Sequence, residues 1–346
     1  MKTIFDYLNY YNNVTFEKYY FNDMDNIVFS MLAYLPFKEK INKKTINIKE
    51  ALNCVKEQQP SKSIKWASVQ ILNIISKGER YKDITFSNYI SIVDDKTQFG
   101  AITIRFNKNS CFVAFKGTDN SLTGWKENLC LSYKYPVAAQ TLAVNYLRNT
   151  IKTKDKIIYV GGHSKGGNLA MASVMGIDDR IYHKINTIYN NDGPGFKKEQ
   201  FDSLKFKKIE KKLINFIPEE SIVGILLYNK KPYVVKSEKR GIMQHYPTNW
   251  DCFGGFLVDG KLSKTSSKMQ KQFNEFLEAT DNKSKKLMIN TLFDIFKKNN
   301  IIYFNQLSDL NIGEISNMLK ETKNIDETSR QILIDMLKVL IFNNKK

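Results

Sequence analysis

The sequence predicts an α/β fold: a three-layer core around a mostly parallel sheet, with helices ahead of it and a helical appendage after it. Three observations carry that expectation. Apolar runs of strand length alternate with segments of helical spacing between about residues 98 and 236. The first two runs are joined by a turn-forming group and read as a hairpin. Gly161-Gly-His-Ser-Lys-Gly-Gly167 stands between the apolar run Lys156–Val160 and a small-residue helix, so a strand there turns at once into a helix.

Residues 1–95 read as a mostly helical region packed on the core. Asn26–Leu35 is an apolar segment of helical length stopped by Pro36, and Trp66–Ile75 is a second amphipathic helix. The core is expected over 96–260. Ala101–Phe106 and Cys111–Phe115 flank the turn Asn107-Lys-Asn-Ser110, and Leu122–Leu129 is a helix that Asp119, Asn120 or Ser121 could cap. Gln140–Leu147 is a helix leading to the strand before Ser164. Further strands are expected at Thr187–Tyr189, Leu213–Ile217 and Tyr233–Lys236. After Gly260 the strands stop. Met269–Leu277, Lys285–Phe296, Glu314–Met318 and Arg330–Leu340 have helical spacing, which makes 261–346 an appendage serving as lid, dimer surface or packed cap.

The chain has 346 residues and a net charge of +18, carried almost wholly by lysine. Only six arginines are present, and specific phosphate or base readout favours arginine forks, so nucleic acid is not an expected partner. Lysine clusters at 205–208 and 230–231 leave peripheral contact with an anionic membrane open. Cys54, Cys111, Cys130 and Cys252 are widely spaced, with no metal-ligand cluster and no disulfide-dense pattern. The first ten residues hold no apolar signal segment, and no run of 18 apolar residues occurs. A cytoplasmic location is expected, and no cofactor or metal is called for.

Gly162-His-Ser-Lys-Gly166 fits G-x-S-x-G, the strand–turn–helix that lifts a serine above the sheet of an α/β-hydrolase. Neither a dinucleotide fingerprint nor a P-loop is present. A nucleophilic Ser164 needs a base, an acid and an oxyanion hole. Of three histidines, His163 adjoins the serine and should diverge from it, and His183 precedes the next strand. His245 follows the last strand, where the hydrolase order Ser…acid…His places the base. For the acid, Asp192 ends the strand after the Ser164 strand, and Glu219 or Glu220, chiefly Glu220, is the alternative one strand further on. The strand end Phe115-Lys-Gly-Thr118 can bring Thr118 to the oxyanion, joined by the N–H of Lys165.

These residues resemble the class 3 lipases, in which a Phe-Arg-Gly-Thr/Ser strand end supplies the oxyanion hole and Gly-His-Ser-Leu-Gly carries the nucleophile. More closely, the chain resembles the bacterial lipase-like (Mbeg-like) α/β-hydrolases of unassigned substrate. The matching segments are Phe115–Asp119, Gly124-Trp-Lys-Glu-Asn128, Gly162–Asn168, Asn191–Gly195, Ser221-Ile-Val-Gly224 and Gln244-His245. The resemblance implies Ser164 as nucleophile, His245 as base and Thr118 as oxyanion donor. The fungal acid motif falls near Ser221–Gly224, where no Asp stands. Lys165 replaces the usual leucine and would add a charge near the site. The expected activity is a serine hydrolase on a carboxylic ester, lipid-like or otherwise acyl. Thioesterase, amidase and acyltransferase chemistry share the triad, and an inactive hydrolase-fold binding protein is the rival class.

Overall fold

The computed structural model describes residues 2–37, 45–56, 61, 63–95, 97–118, 121–301 and 306. The chain opens with helices α1 (Ile4–Tyr11) and α2 (Asp23–Leu32), the short strand β1 (Ile46–Asn47), and helices α3 (Ile48–Cys54) and α4 (Ile64–Ile75). Then come β2 (Thr85–Val93), β3 (Gln98–Arg105), β4 (Ser110–Phe115), α5 (Leu122–Cys130), α6 (Ala138–Thr150) and β5 (Ile157–His163). They are followed by α7 (Lys165–Met175), α8 (Asp179–Tyr182), β6 (Ile185–Asn191), α9 (Lys198–Phe201), α10 (Leu204–Glu210) and β7 (Leu213–Pro218). The chain continues through β8 (Tyr233–Val235), a 3₁₀ turn Gly241–His245, the hairpin β9 (Cys252–Phe253) and β10 (Phe256–Leu257), α11 (Lys264–Ala279) and α12 (Asn282–Lys298).

Strands β1 to β8 form one sheet in chain order, antiparallel up to β4 and parallel from β4 to β8. This is the expected three-layer α/β architecture. When parallel strands follow chain order, right-handed crossovers put their helices on one face. Helices α6, α7 and α10 pack there, against Val113, Phe115, Ile158 and Val160. Helices α1, α2 and α4 cover the other face, against Phe86, Ile104, Phe112 and Ala114. Strand β4 shows why: its alternating side chains enter opposite cores, and all six of its residues are buried. On the α2 side, Asp25 is fully buried and accepts from Arg80 and the Tyr81 and Tyr7 hydroxyls, which closes that layer.

Strand β2 lies inside the segment read from sequence as mostly helical. A bulge between Ser87 and Ile90, with Asn88 at φ +57°, breaks the alternation that would have marked it. Helix α5 is capped by Ser121, whose hydroxyl accepts the Gly124 N–H. Helices α11 and α12 pack on α5 through Phe276, Leu277, Met288, Leu292 and Phe296. The helices expected at 314–318 and 330–340, and the capping alternatives Asp119 and Asn120, lie outside the described residues. No described helix is long and apolar enough to cross a membrane.

Candidate active site

Ser164 occupies the single residue between β5 and α7, at φ +58° and ψ −132°. That backbone is costly for a residue with a side chain and persists only where its surroundings fix it. Here the Ser164 N–H donates to the Asn191 carbonyl and its own carbonyl accepts from Gly167, both at 2.9 Å. The flanking glycines are sterically required. A Cβ on Gly166 would stand 2.1 Å from the Phe115 carbonyl oxygen, and one on Gly162 2.5 Å from it.

Asp192 follows β6 at φ +52° with no exposed surface. Its Oδ1 accepts from the Ser221 hydroxyl and, at 3.0 Å, from the Gly224 N–H. Its Oδ2 lies 2.6 Å from His245 Nδ1. Ser221–Gly224, the segment where the fungal acid motif falls, therefore holds the carboxylate without supplying it. With Nδ1 facing Asp192, Nε2 of His245 is the nitrogen placed to exchange a proton.

The acid alternative Glu220 points elsewhere. Its carboxylate accepts the Gly241 N–H, and its own N–H donates to Gln244 Oε1 at 2.8 Å. Glu219 accepts the Lys261 N–H at 3.2 Å. Glu220 thus anchors the start of the 3₁₀ turn that ends in His245, and the Trp250 indole binds the Gln244 carbonyl at 2.6 Å. His163 completes the support. Its Nε2 donates to the His245 carbonyl at 2.7 Å, and its Nδ1 lies 3.0 Å from the Tyr34 hydroxyl. Burial and the neighbouring His245 ring push the His163 pKa well below its ordinary value, so the ring is neutral. His183 is exposed at the end of α8, away from these groups.

The loop after β4 passes directly against the serine. A Cβ on Gly117 would meet the Tyr34 hydroxyl at 2.2 Å, the His163 carbonyl at 2.5 Å and Ser164 Cβ at 3.0 Å. Thr118 follows, and its hydroxyl accepts from Asn128 Nδ2 at 2.6 Å. That leaves the hydroxyl proton directed to another acceptor. Lys165 opens α7, so its N–H belongs to the positive end of the helix.

The Lys165 side chain corrects the expectation of a charge near the entrance. It is fully buried, its Nζ 2.9 Å from Glu127 Oε2 and bonded to the Gln98 carbonyl. Glu127 also accepts the Ala139 and Gln98 N–H groups, at 2.9 and 3.3 Å. The pair ties α5, β3 and the start of α6 to the elbow. Glu127, Asn128, Gln98 and Tyr34 were not singled out as site residues from sequence. The motif Gly124–Asn128 was the available signal for two of them.

Beside Ser164 lies a cavity between α5, α11, α12 and the 223–227 loop. Trp125, Leu226, Phe273, Phe276, Met288 and Ile289 line it, with Asn128, Ser132 and Ser164 as its polar members. The chain belongs to the Mbeg1-like family. The family model matches residues 75–294, from the end of α4 into α12. Among solved structures, the crystal structure of M37 lipase is similar at 13% identity and a TM-score of 0.36, over 59% of this chain and 69% of that one. A search of curated proteins finds no match.

Proposed function

We propose that the chain is a serine hydrolase that cleaves a carboxylic ester with an apolar acyl group. The observation that carries this reading is the His245–Asp192 hydrogen bond beside a serine held at a strained strand–helix turn. In the proposed reaction Ser164 Oγ attacks the acyl carbon and His245 Nε2 takes its proton. Asp192 fixes the imidazole tautomer and stabilises its cation. The Thr118 and Lys165 N–H groups, with the Thr118 hydroxyl, receive the oxyanion. His245 returns the proton to the departing alcohol, and water then releases the acid from the acyl-enzyme. The apolar cavity favours a lipid or other acyl ester or thioester.

Membrane contact is part of the proposal only through the remaining surface lysines. Lys230 is a poor candidate, since its ammonium donates to the Glu210 and Leu213 carbonyls. The reading is tested by intact-mass labelling with a fluorophosphonate. One adduct is expected on the wild type and none on Ser164→Ala. A folded wild type that takes no label would overturn it in favour of a binding protein.

A further inference from the structure

A second, polar pocket adjoins the apolar cavity beside Ser164, with Ser132 and Leu227 lining both. Helix α12 runs past the two. Met288 and Ile289 face the apolar cavity, and Lys285, one turn earlier, faces the polar one. Three to four residues of helix set Lys285 about 4.5–6 Å from Met288 and Ile289 along the axis.

Lys285 is 5% exposed. Its Nζ donates to the Leu277 carbonyl at 2.6 Å, in the last turn of α11, and it makes no ion pair among the described residues. The nearby carboxylates are engaged. Asp281 caps α12 and accepts the Ser284 hydroxyl, Glu278 accepts the Tyr228 hydroxyl, and Glu199 lies 3.5 Å from Lys197 Nζ. Burial, then repulsion from Lys197, lowers the Lys285 pKa, against an opposing pull from Asp281. Capping the carbonyl of α11 uses one of three ammonium protons and none of the charge. Of the pocket's lysines, Lys197 lies 3.5 Å from Glu199 and Lys198 3.7 Å from Asp202, so Lys285 is the one without a carboxylate partner among the described residues. That matches a monoanion.

We propose that the polar pocket is a subsite for a carboxylate carried at the end of the substrate's apolar chain, with Lys285 as its counter-ion and Lys197 beside it. The ester at the other end of that chain lies at Ser164. The substrate class is then the monoester of a dicarboxylic acid, or an equivalent carboxylate-ended acyl ester. The proposal rests on the hydrolase reading for the place of the ester, but its binding half can be measured without turnover.

The experiment is calorimetric titration of full-length Ser164→Ala. The probes are monomethyl esters of medium-chain dicarboxylic acids and methyl esters of fatty acids of matched length. The carboxylate-ended esters are expected to bind about tenfold tighter. Adding Lys285→Met should erase that difference and leave the neutral esters unchanged. Lys197→Met should narrow it, which keeps the test open if Lys285→Met fails to fold. Equal affinity for both ester series would overturn the subsite. So would an equal loss for both in Lys285→Met, since that assigns Lys285 to capping α11 alone. Fluorophosphonate labelling of the native chain separates the two readings. A labelled Ser164 without carboxylate preference sinks only the subsite, whereas preference without labelling keeps the subsite and sinks the hydrolase.

Discussion

The carboxyl ends of β5 and β6 and the groove beneath α11 and α12 meet at Ser164, and they treat buried charge in opposite ways. At the strand ends the Lys165 ammonium meets the Glu127 carboxylate, and Asp192 accepts from Ser221, Gly224 and His245. In the polar pocket beside that groove the Lys285 ammonium meets a backbone carbonyl and makes no ion pair among the described residues. A buried charge with a carboxylate and several N–H partners holds elements together. A buried charge with only a carbonyl leaves electrostatic energy to be gained from something that enters. The first region keeps its geometry through those bonds, and the proposed subsite would use the unpaired charge of the second.

The sharpest way to break this contrast is at the acid. Asp192→Asn keeps the shape but offers His245 Nδ1 the wrong tautomeric partner, and kcat on an activated ester should fall about 10⁴-fold. A fall of less than tenfold would move Asp192 from the reaction to the fold. Next is the ion pair. Glu127→Leu strands the Lys165 ammonium and should cost about 3–5 kcal/mol in denaturant unfolding, while the double variant Glu127→Leu/Lys165→Met should recover most of that loss. If Lys285→Met cost as much, the two lysines would be alike and the contrast would fail.

Thr118→Val should lower kcat about 10²–10³-fold, leaving KM for a neutral ester little changed. Asn128→Leu removes the bond to the Thr118 hydroxyl and one polar group of the cavity wall, and should cost less in kcat. Equal losses in KM and no loss in kcat would remove Thr118 from the oxyanion site. The smallest effect is on stability against pH. His163 has a folded pKa below its unfolded value of about 6.5, so the unfolded chain binds the extra proton first. Its contribution is therefore neutral above that pH, and stability declines as pH falls below it, by up to about 1.4 kcal/mol per unit. Melting curves of His163→Gln should lose that part of the acid slope, and an unchanged slope would place the titration elsewhere.

Much of the architecture was legible in the chain because its signals are local. The apolar alternation of β3 and β4 and the Gly-x-Ser-x-Gly turn depend on neighbours a few residues apart, whereas α2 ends at Leu32, before the expected stop at Pro36. Strand β2 was not legible, because one residue at φ +57° shifts its period. The Gly124–Asn128 segment was visible as a pattern, yet its meaning was not, since Glu127 answers Lys165 across 38 residues and Asn128 answers Thr118 across the turn.

By itself the sequence determined a mostly parallel α/β sheet and a serine at a turn that only glycine-flanked backbone can make. Steric limits at such a turn act within five residues, so no distant partner is needed to read them. Tertiary structure alone decided that Asp192 and not Glu220 faces His245, 53 residues away. It also decided that Lys165 turns inward and that Tyr34, in the turn after α2, touches His163 and Gly117. Those outcomes depend on where strands end relative to one another, and a charge or hydroxyl settles on whichever partner the packed sheet brings within hydrogen-bond reach.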